Sequence, residues 1–262
     1  MNQRNILIYL AIKHEGNWLD IMQAIEAKED FDSDVADKIV AAMQCNAITI
    51  LDKDYPKYLL KSSRPPFVLF YYGDITLIND MEKNLSVVGS RKYTEYGRMA
   101  TIRLVERLCK QYNIVSGLAV GIDSIAQKTC IENGGKTIAV LGSGIDNCYP
   151  PSNKELYEEI KKNHLLLSEF PGVTEPCPGN FPIRNRIIAA LSKATLMTEA
   201  RPNSGSCVTA GWALENNRDV MCGPNTMFSD SGCNKWIKEG AYLVESVEDV
   251  LEIIASKKCE NI

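Results

Sequence analysis

The sequence predicts an α/β fold in which a parallel β-sheet with flanking helices follows a small helical amino-terminal unit. Two observations indicate this fold. From Leu85 onward, short apolar runs alternate with segments of helical periodicity, an arrangement that produces right-handed crossovers between parallel strands. Before residue 46, by contrast, apolar residues such as Ile6, Leu7 and Leu10 recur at helical spacing.

Six apolar runs are the predicted parallel strands of the main domain. They cover residues 85–88, 114–116, 137–141, 165–168, 195–198 and 220–222. Helices are predicted in the gaps between them, at residues 97–112, 122–133, 154–162, 184–192 and 206–216. A last strand and helix, at residues 241–244 and 247–255, complete the sheet and its cover.

The chain divides into four predicted parts. Residues 1–45 form the helical unit, broken near Gly16-Asn17, with Asp34 as the expected cap of a helix that continues to residue 43. Residues 46–84 form a lead-in segment with short strands at 47–51 and 67–72. Residues 85–255 form the main domain, and 256–262 are a polar tail.

Composition excludes several classes of protein. The 262 residues contain 29 Lys and Arg against 33 Asp and Glu, and this net charge of -4 lacks the basic excess common in duplex DNA binders. A local basic patch is still expected between Phe181 and Ser206. The nine cysteines include no Cys-x-x-Cys pair, and the two histidines lie far from any cysteine cluster, so we expect no metal site. No signal peptide or membrane span is apparent, and we expect a cytoplasmic protein with reduced thiols.

The ends of the predicted strands are rich in glycine and hydroxyl residues. Loops beyond the carboxyl ends of parallel strands lead into helix amino termini, whose free N–H groups attract anions. Glycine allows a phosphate to approach the backbone, and serine adds a small donor. The sequence therefore predicts a phosphate pocket formed by three loops, which contribute Gly89, Ser90 and Arg91, then Ser116, Gly117 and Gly121, then Ser204, Gly205 and Ser206.

Several charged and aromatic residues have two interpretations at this stage. Arg91 follows the glycine turn directly, which favours contact with phosphate over a solvated surface charge. Of Arg184 and Arg186, one is expected to face the ligand while the other pairs internally, with Glu199 as a candidate partner. Two further alternatives stay open, because Phe181 is either a core residue or a base-stacking surface, and Asp123 either braces its loop or contacts the ligand.

Three familiar nucleotide or catalytic motifs are absent. The segment Gly134-Gly135-Lys136-Thr137 resembles the end of a P-loop, but Cys130 occupies the position of the first glycine and a strand follows. The third glycine of a dinucleotide fingerprint after Gly142-Ser143-Gly144 is replaced by Asn147. No Gly-x-Ser-x-Gly elbow is present. We therefore expect no nicotinamide or other cofactor and no catalytic residue.

As a whole, the sequence resembles the bacterial DNA-processing protein A family (DprA, also called Smf). The resemblance covers residues 46–254 and rests on an ordered series of motifs. These are Val88-Gly89-Ser90-Arg91, Ser116-Gly117-Leu118-Ala119-Val120-Gly121-Ile122-Asp123, Tyr149-Pro150-Pro151, Asn180-Phe181-Pro182-Ile183-Arg184-Asn185-Arg186, Ser204-Gly205-Ser206 and Gly232-Cys233-Asn234-Lys235.

The resemblance implies an extended Rossmann-like fold and a protein that is not an enzyme. Family members bind and protect incoming single-stranded DNA, form homodimers, and help to load the RecA recombinase during natural transformation (competence) and other DNA recombination. Carried over by position, the single-stranded DNA pocket consists of Gly89, Ser90, Arg91, Gly117, Gly121, Phe181, Arg184, Asn185, Arg186, Ser204, Gly205 and Ser206. This chain resembles the short form, without the winged-helix-like extension that some members carry.

The chain departs from the family pattern at four positions. Many relatives have a cation at Val120 and a histidine at Gln127, and some have lysine at Pro151 and Pro178. Each lost charge is expected to remove one phosphate contact. Two alternative functions share the same pocket, namely a nucleotide-monophosphate phosphoribohydrolase-like enzyme and a small-nucleotide sensor. Against the enzyme, the chain has Asn203-Ser204-Gly205-Ser206-Cys207 where such enzymes carry a glycine-rich stretch ending in a glutamate.

Overall fold

The computed structural model describes residues 2–256, and its strands form one mixed β-sheet. In chain order the strands are β1 (Asn46–Thr49), β2 (Val68–Gly73), β3 (Asn84–Val88), β4 (Asn113–Ser116), β5 (Thr137–Leu141), β6 (Leu165–Ser168), β7 (Ala194–Met197), β8 (Asp219–Cys222) and β9 (Tyr242–Leu243). In the sheet they lie in the order β1-β2-β6-β5-β4-β3-β7-β8-β9.

Eleven α-helices connect and cover these strands within residues 2–256. They are α1 (Gln3–Lys13), α2 (Trp18–Glu26), α3 (Ser33–Ala41), α4 (Lys57–Leu60), α5 (Glu95–Leu108), α6 (Ile122–Glu132), α7 (Lys154–Asn163), α8 (Asn180–Ala190), α9 (Gly205–Glu215), α10 (Gly232–Lys238) and α11 (Val247–Ser256). Helices α5, α6 and α11 pack in one apolar core, and α8, α9 and α10 pack in another. Alternate β3 residues enter these two cores, since Val87 lies in the first and Val88 in the second.

The predicted parallel sheet is confirmed for the strands from β3 to β9. Every pairing among them is parallel, with a register such as Val88 opposite Met197. The lead-in segment contributes more than the sequence indicated, because β2 pairs antiparallel with β6 and β1 pairs antiparallel with β2, which extends this sheet by two strands. The α/β fold with flanking helices and a helical amino-terminal segment is thus the observed architecture.

The predicted strand ends agree with the structure more closely than the predicted helix starts. Each of the six predicted strands of the main domain lies within one residue of its observed bounds. Helix α8, by contrast, begins at Asn180 and not at residue 184, so Phe181 belongs to its first turn. Helix α5 begins at Glu95 because the Thr94 side chain accepts a hydrogen bond from the N–H of Gly97.

The amino-terminal helices show one confirmed and one wrong prediction. Asn17 caps α2 through hydrogen bonds from the N–H groups of Leu19 and Asp20, which explains the predicted break at Gly16-Asn17. Asp34 is not the cap of α3. Asp32 holds that position, because its carboxylate accepts from the N–H of Asp34 itself, and the helix ends at Ala41.

Two further expectations concern membrane-spanning helices and the polar tail. No helix within residues 2–256 combines the length and the apolar character needed to cross a membrane. The predicted polar tail at 256–262 lies, apart from Ser256, outside the described residues.

Strand β2 offers a test of how the lead-in segment is joined to the main sheet. Phe70 is 1% exposed, pairs with Ala47 and Ser168, and shares an apolar core with Leu7 and Leu166. Phe70→Ala should lower the free energy of unfolding by about 3 to 5 kcal/mol, the usual cost of removing a buried aromatic ring. Urea unfolding followed by circular dichroism should keep one transition with a lower midpoint, whereas a second transition at the parental midpoint would show that the segment folds separately.

Candidate nucleic-acid interface

A cavity of about 530 Å³ opens beyond the carboxyl ends of β3 and β7. Nine of the predicted site residues line it: Gly89, Ser90, Arg91, Phe181, Arg184, Asn185, Ser204, Gly205 and Ser206. The loop after β3 forms one wall, the first turn of α8 a second, and the start of α9 a third. Parallel strands bring these distant segments to one edge of the sheet.

The other four predicted site residues do not line the cavity, for identifiable reasons. Ser116 is fully buried and donates to the Val87 carbonyl at 2.7 Å. Gly117 provides room for a guanidinium, since a β-carbon there would lie 2.6 Å from Arg184 Nη2. Gly121 adopts a φ of +90° and lies against the backbone of Ser90. Gly117 and Gly121 therefore allow close packing of the cavity loops without lining the cavity themselves.

Arg186, the fourth, turns away from the cavity. It is 2% exposed, and its Nη2 donates to Glu169 Oε1 at 2.6 Å. The expected pairing with Glu199 is wrong, because the Glu199 carboxylate accepts from the backbone N–H and the hydroxyl of Thr94 instead. Gly97 lies directly behind that carboxylate, where a β-carbon would be 1.8 Å from Oε2. Glu199 therefore braces the start of α5.

The first turn of α9 presents backbone N–H groups to the cavity. Ser204 occupies the N-cap position but makes no capping hydrogen bond to the backbone, and its hydroxyl lies 3.5 Å from Cys207 Sγ. The N–H groups of Gly205 and Ser206 consequently lack a capping partner at a helix end that carries partial positive charge. Such a helix terminus is a ready anion site.

Cations surround the mouth of the cavity. Arg91, Lys92 and Arg201 are exposed lining residues, and no acidic side chain within residues 2–256 forms an ion pair with them. Asp123 is the one carboxylate among the described lining residues, and it is 7% exposed. The opening therefore favours an anionic ligand, and most strongly at low salt.

Phe181 is half-buried and forms an aromatic wall with Tyr149. Their ring centroids lie 5.6 Å apart at an interplanar angle of 36°. The Arg91 guanidinium lies 5.3 Å from the Phe181 centroid, within the range of a cation–π contact. Gly142 fixes the position of the ring, since a β-carbon there would come within 2.6 Å of Phe181 Cδ1.

Arg184 lies beneath this wall and is 4% exposed. Its Nη1 donates to the carbonyls of Gly117 and Val140, which joins the ends of β4 and β5. Burial lowers the pKa of Arg184 to about 10, opposed by the nearby carboxylate of Asp123, so the guanidinium stays charged at neutral pH. Arg184 thus supplies a fixed positive charge below the cavity.

Asp123 braces the loop after β4 and also lines the cavity, so the first of its two interpretations is observed and contact with a ligand stays a prediction. Its Oδ2 accepts a hydrogen bond from the Gly117 N–H at 3.2 Å. Burial raises the pKa of Asp123, while the Arg184 guanidinium and backbone N–H groups act in the opposite direction. The hydroxyl of Ser90 lines the cavity and donates to the Lys92 carbonyl at 2.7 Å, so its donation to a phosphate stays a prediction that requires this bond to break.

Among the lining residues that were not predicted as site residues, three carry a cationic or aromatic side chain, namely Lys92, Arg201 and Tyr149. Lys92 directly follows the Gly89-Ser90-Arg91 motif, and Arg201 lies between a predicted strand end and the Ser204-Gly205-Ser206 motif, so their positions were a usable signal. Tyr149 lies in the long connection after β5, and its place in the Tyr149-Pro150-Pro151 motif was the signal for it.

The four positions at which the chain departs from the family pattern differ in how exposed they are and in whether they line the cavity. Pro178 lines the cavity, and Val120 and Pro151 are exposed, so a cation at any of these positions would face solvent or ligand. Gln127 is fully buried, and its amide donates to Thr137 Oγ1 and to a backbone carbonyl. The expectation that this departure removes a phosphate contact is therefore wrong.

Comparison with known proteins decides the family. The model of the DNA recombination-mediator protein A family matches residues 46–255. This chain belongs to that family. The match confirms the resemblance inferred from the sequence motifs, and its bounds include β1 and β2 as well as the strands that form the cavity.

Individual relatives agree with this assignment. Protein Smf from Synechocystis is 43% identical over 205 residues, which is 76% of this chain and 52% of that protein. The chain thus spans about half the length of this relative. The structure of DNA processing protein A from Streptococcus pneumoniae matches with a TM-score of 0.80 and 37% identity, over 89% of this chain and 81% of that one.

A second solved structure concerns a DNA ligand. DNA processing protein A from Helicobacter pylori matches with a TM-score of 0.72 and 29% identity, over 83% of this chain and 98% of that one. That structure addresses the single-stranded DNA binding mode of the Helicobacter protein.

The buried ion pair between Arg186 and Glu169 provides a test of the corrected role of Arg186. Glu169→Ala leaves a buried guanidinium without its partner and should cost about 3 to 5 kcal/mol in the free energy of unfolding. The double variant Arg186→Met, Glu169→Leu removes both charges and should recover most of that loss, as measured by urea denaturation. A single variant as stable as the parent would contradict the ion pair.

Proposed function

We propose that this chain binds single-stranded DNA in the cavity between the β3 loop, α8 and α9, and acts as a DNA recombination mediator. The observation that carries the proposal is the meeting of three features at one cavity: the uncapped start of α9, the cationic rim and the aromatic wall. Membership of the recombination-mediator family and the similarity to the Helicobacter protein support it.

The proposed contact with the DNA backbone uses the start of α9. A phosphate placed there accepts hydrogen bonds from the N–H groups of Gly205 and Ser206. Arg91, Lys92 and Arg201 surround the phosphate position, and Arg184 adds charge from below. Because these contacts are to phosphate, they carry no sequence preference.

The proposed contact with a base uses Phe181. A base that stacks on this ring displaces the Arg91 guanidinium from its place over the ring, and the guanidinium can then pair with a phosphate. The half-exposed ring of Tyr149 offers a second surface beside it. A duplex keeps its bases stacked inside, so single strands should bind in preference.

The wider role is also part of this proposal. We infer that the protein protects single-stranded DNA in the cytoplasm, acts as a homodimer, and loads the RecA recombinase during natural transformation and recombination. The support is membership of the recombination-mediator family, and a dimer would place two cavities along one strand. Because the chain spans about half of the Synechocystis relative, further activities of that longer protein are not transferred.

An enzyme acting on a nucleoside monophosphate is a weaker candidate for the same cavity. Hydrolysis of this kind needs a carboxylate free to act on the ligand. Asp123, the one carboxylate among the described lining residues, is 7% exposed and accepts from the Gly117 N–H. The cavity is large enough for a small nucleotide, so binding of AMP has to be tested beside binding of DNA.

Binding to a fluorescent oligothymidylate across a salt series tests the proposal. Arg91→Ala should weaken binding at least roughly tenfold, as expected for loss of a charged hydrogen bond, and should reduce the slope of log affinity against log salt by about 0.7. Arg107→Ala is the matched control, because Arg107 is exposed, does not line the cavity and lies about 18 Å along α5 from the start of that helix.

The same experiment includes a check for the two alternative functions. Incubation with AMP should release no adenine, and AMP should compete poorly with the oligonucleotide. An affinity for the oligonucleotide that changes neither with salt concentration nor on Arg91→Ala substitution would overturn the proposal. Release of adenine would instead establish the enzyme.

A further inference from the structure

The loop between β8 and α10 presents two large apolar side chains to solvent. Phe228 is 96% exposed and Met227 is 84% exposed, the highest values among large apolar residues within residues 2–256. A fully exposed phenylalanine has no role in packing the protein that carries it. Contiguous exposed apolar surface can mark a contact with another molecule, and these two side chains are neighbours in the chain.

The loop is held in a defined turn. The Asn234 side chain accepts from the N–H of Asn225 at 2.9 Å and donates to the carbonyls of Asn225 and Thr226 at 3.0 and 3.3 Å. The N–H of Ser229 donates back to the Thr226 carbonyl at 3.1 Å. Four hydrogen bonds therefore present the tip at Met227 and Phe228, and their exposure is a consequence of this turn.

One end of the loop is attached next to the proposed DNA cavity, and the other end is attached to α5. The Gly232 N–H donates to the carbonyl of Ala200 at 2.7 Å, and Arg201, the next residue, lines the cavity. At the other end, the Pro224 carbonyl accepts from the Tyr96 hydroxyl at 2.6 Å. Phe228 is four residues from Gly232, so it lies within about 14 Å of that anchor. Stacked nucleotides cover that distance in about four steps of 3.4 Å.

We propose that Phe228 is a second base-stacking residue, which contacts a DNA strand after it leaves the cavity past Arg201. This inference rests on the proposed function. A single exposed ring suits one base, whereas a protein interface needs about 800 Å² of surface on each partner. Thr226, Ser229 and Asp230 are polar, so Met227 and Phe228 are the apolar side chains that residues 226–230 expose.

The charges of the loop indicate which part of the strand it meets. Residues 225–231 contain no Lys or Arg, and Asp230 is exposed. Contact with phosphates is therefore disfavoured here, and contact with a base is favoured. Phosphate contacts set the salt dependence of binding, so a base contact at Phe228 should add affinity without changing that dependence.

The test is a series of fluorescent oligothymidylates from 4 to 20 nucleotides in length. Phe228→Ala should weaken binding of the longest oligonucleotides roughly 5- to 10-fold, the lower range expected for loss of one stacked base. It should leave the tetranucleotide affinity and the salt slope unchanged. Phe228→Trp should retain the parental affinity, and quenching of the new indole should appear only with oligonucleotides that extend past the cavity.

Two further variants separate base stacking on the ring from a general apolar contact. Phe228→Leu keeps an apolar side chain without an aromatic face and should behave like Phe228→Ala. Leu214→Ala removes another exposed apolar side chain, 54% exposed and about 14 Å along α9 from its start, and should have no effect.

The outcomes distinguish this inference from the function on which it rests. If Phe228→Ala binds every length like the parent while Arg91→Ala does not, Phe228 has no stacking role and the cavity function stands. The same conclusion follows if Phe228→Leu retains full affinity, because an apolar side chain alone would then suffice. If neither Arg91→Ala nor Phe228→Ala changes binding, the proposed function itself fails.

Discussion

The candidate site depends on one buried charge, the guanidinium of Arg184. It reaches from α8 to the carbonyls of Gly117 and Val140, and so ties a helix to the ends of two parallel strands. Gly117 must be glycine because a side chain would occupy the space of this guanidinium. Burying an arginine is costly, and the carbonyl acceptors and the nearby Asp123 carboxylate offset that cost. The same charge then lies below the cavity, where it favours an anion.

The positions of α8 and α9 connect the Arg184 contacts to the proposed binding of single-stranded DNA. The Arg184 contacts tie α8 to the ends of β4 and β5, and the first turn of α8 places Phe181 beside Tyr149 and Arg91. The start of α9 completes the cavity with unpartnered N–H groups. In this account, two helix starts and one strand-end loop bind a phosphate and a base. The proposed contacts use backbone N–H groups as well as side chains. Such contacts predict a weak sequence preference.

Much of this could be predicted from the sequence, because it depends on local patterns. The strands from β3 to β8 are short apolar runs, and their ends carry the glycines and serines that line the cavity. Side-chain partners across the fold could not be predicted. The pairing of Arg186 with Glu169, and the use of Glu199 to hold Thr94, depend on which helix faces which strand. The antiparallel addition of β1 and β2 is likewise a long-range contact with β6 that leaves no local signal.

The most direct test of this account is a crystal structure of the chain with a hexathymidylate. We expect one phosphate within about 3.2 Å of the backbone nitrogens of Gly205 and Ser206, the distance of an ordinary hydrogen bond. We also expect one thymine stacked on Phe181 and the Arg91 guanidinium moved from the ring to a phosphate. A strand bound elsewhere on the protein, with the start of α9 left in solvent, would contradict the account.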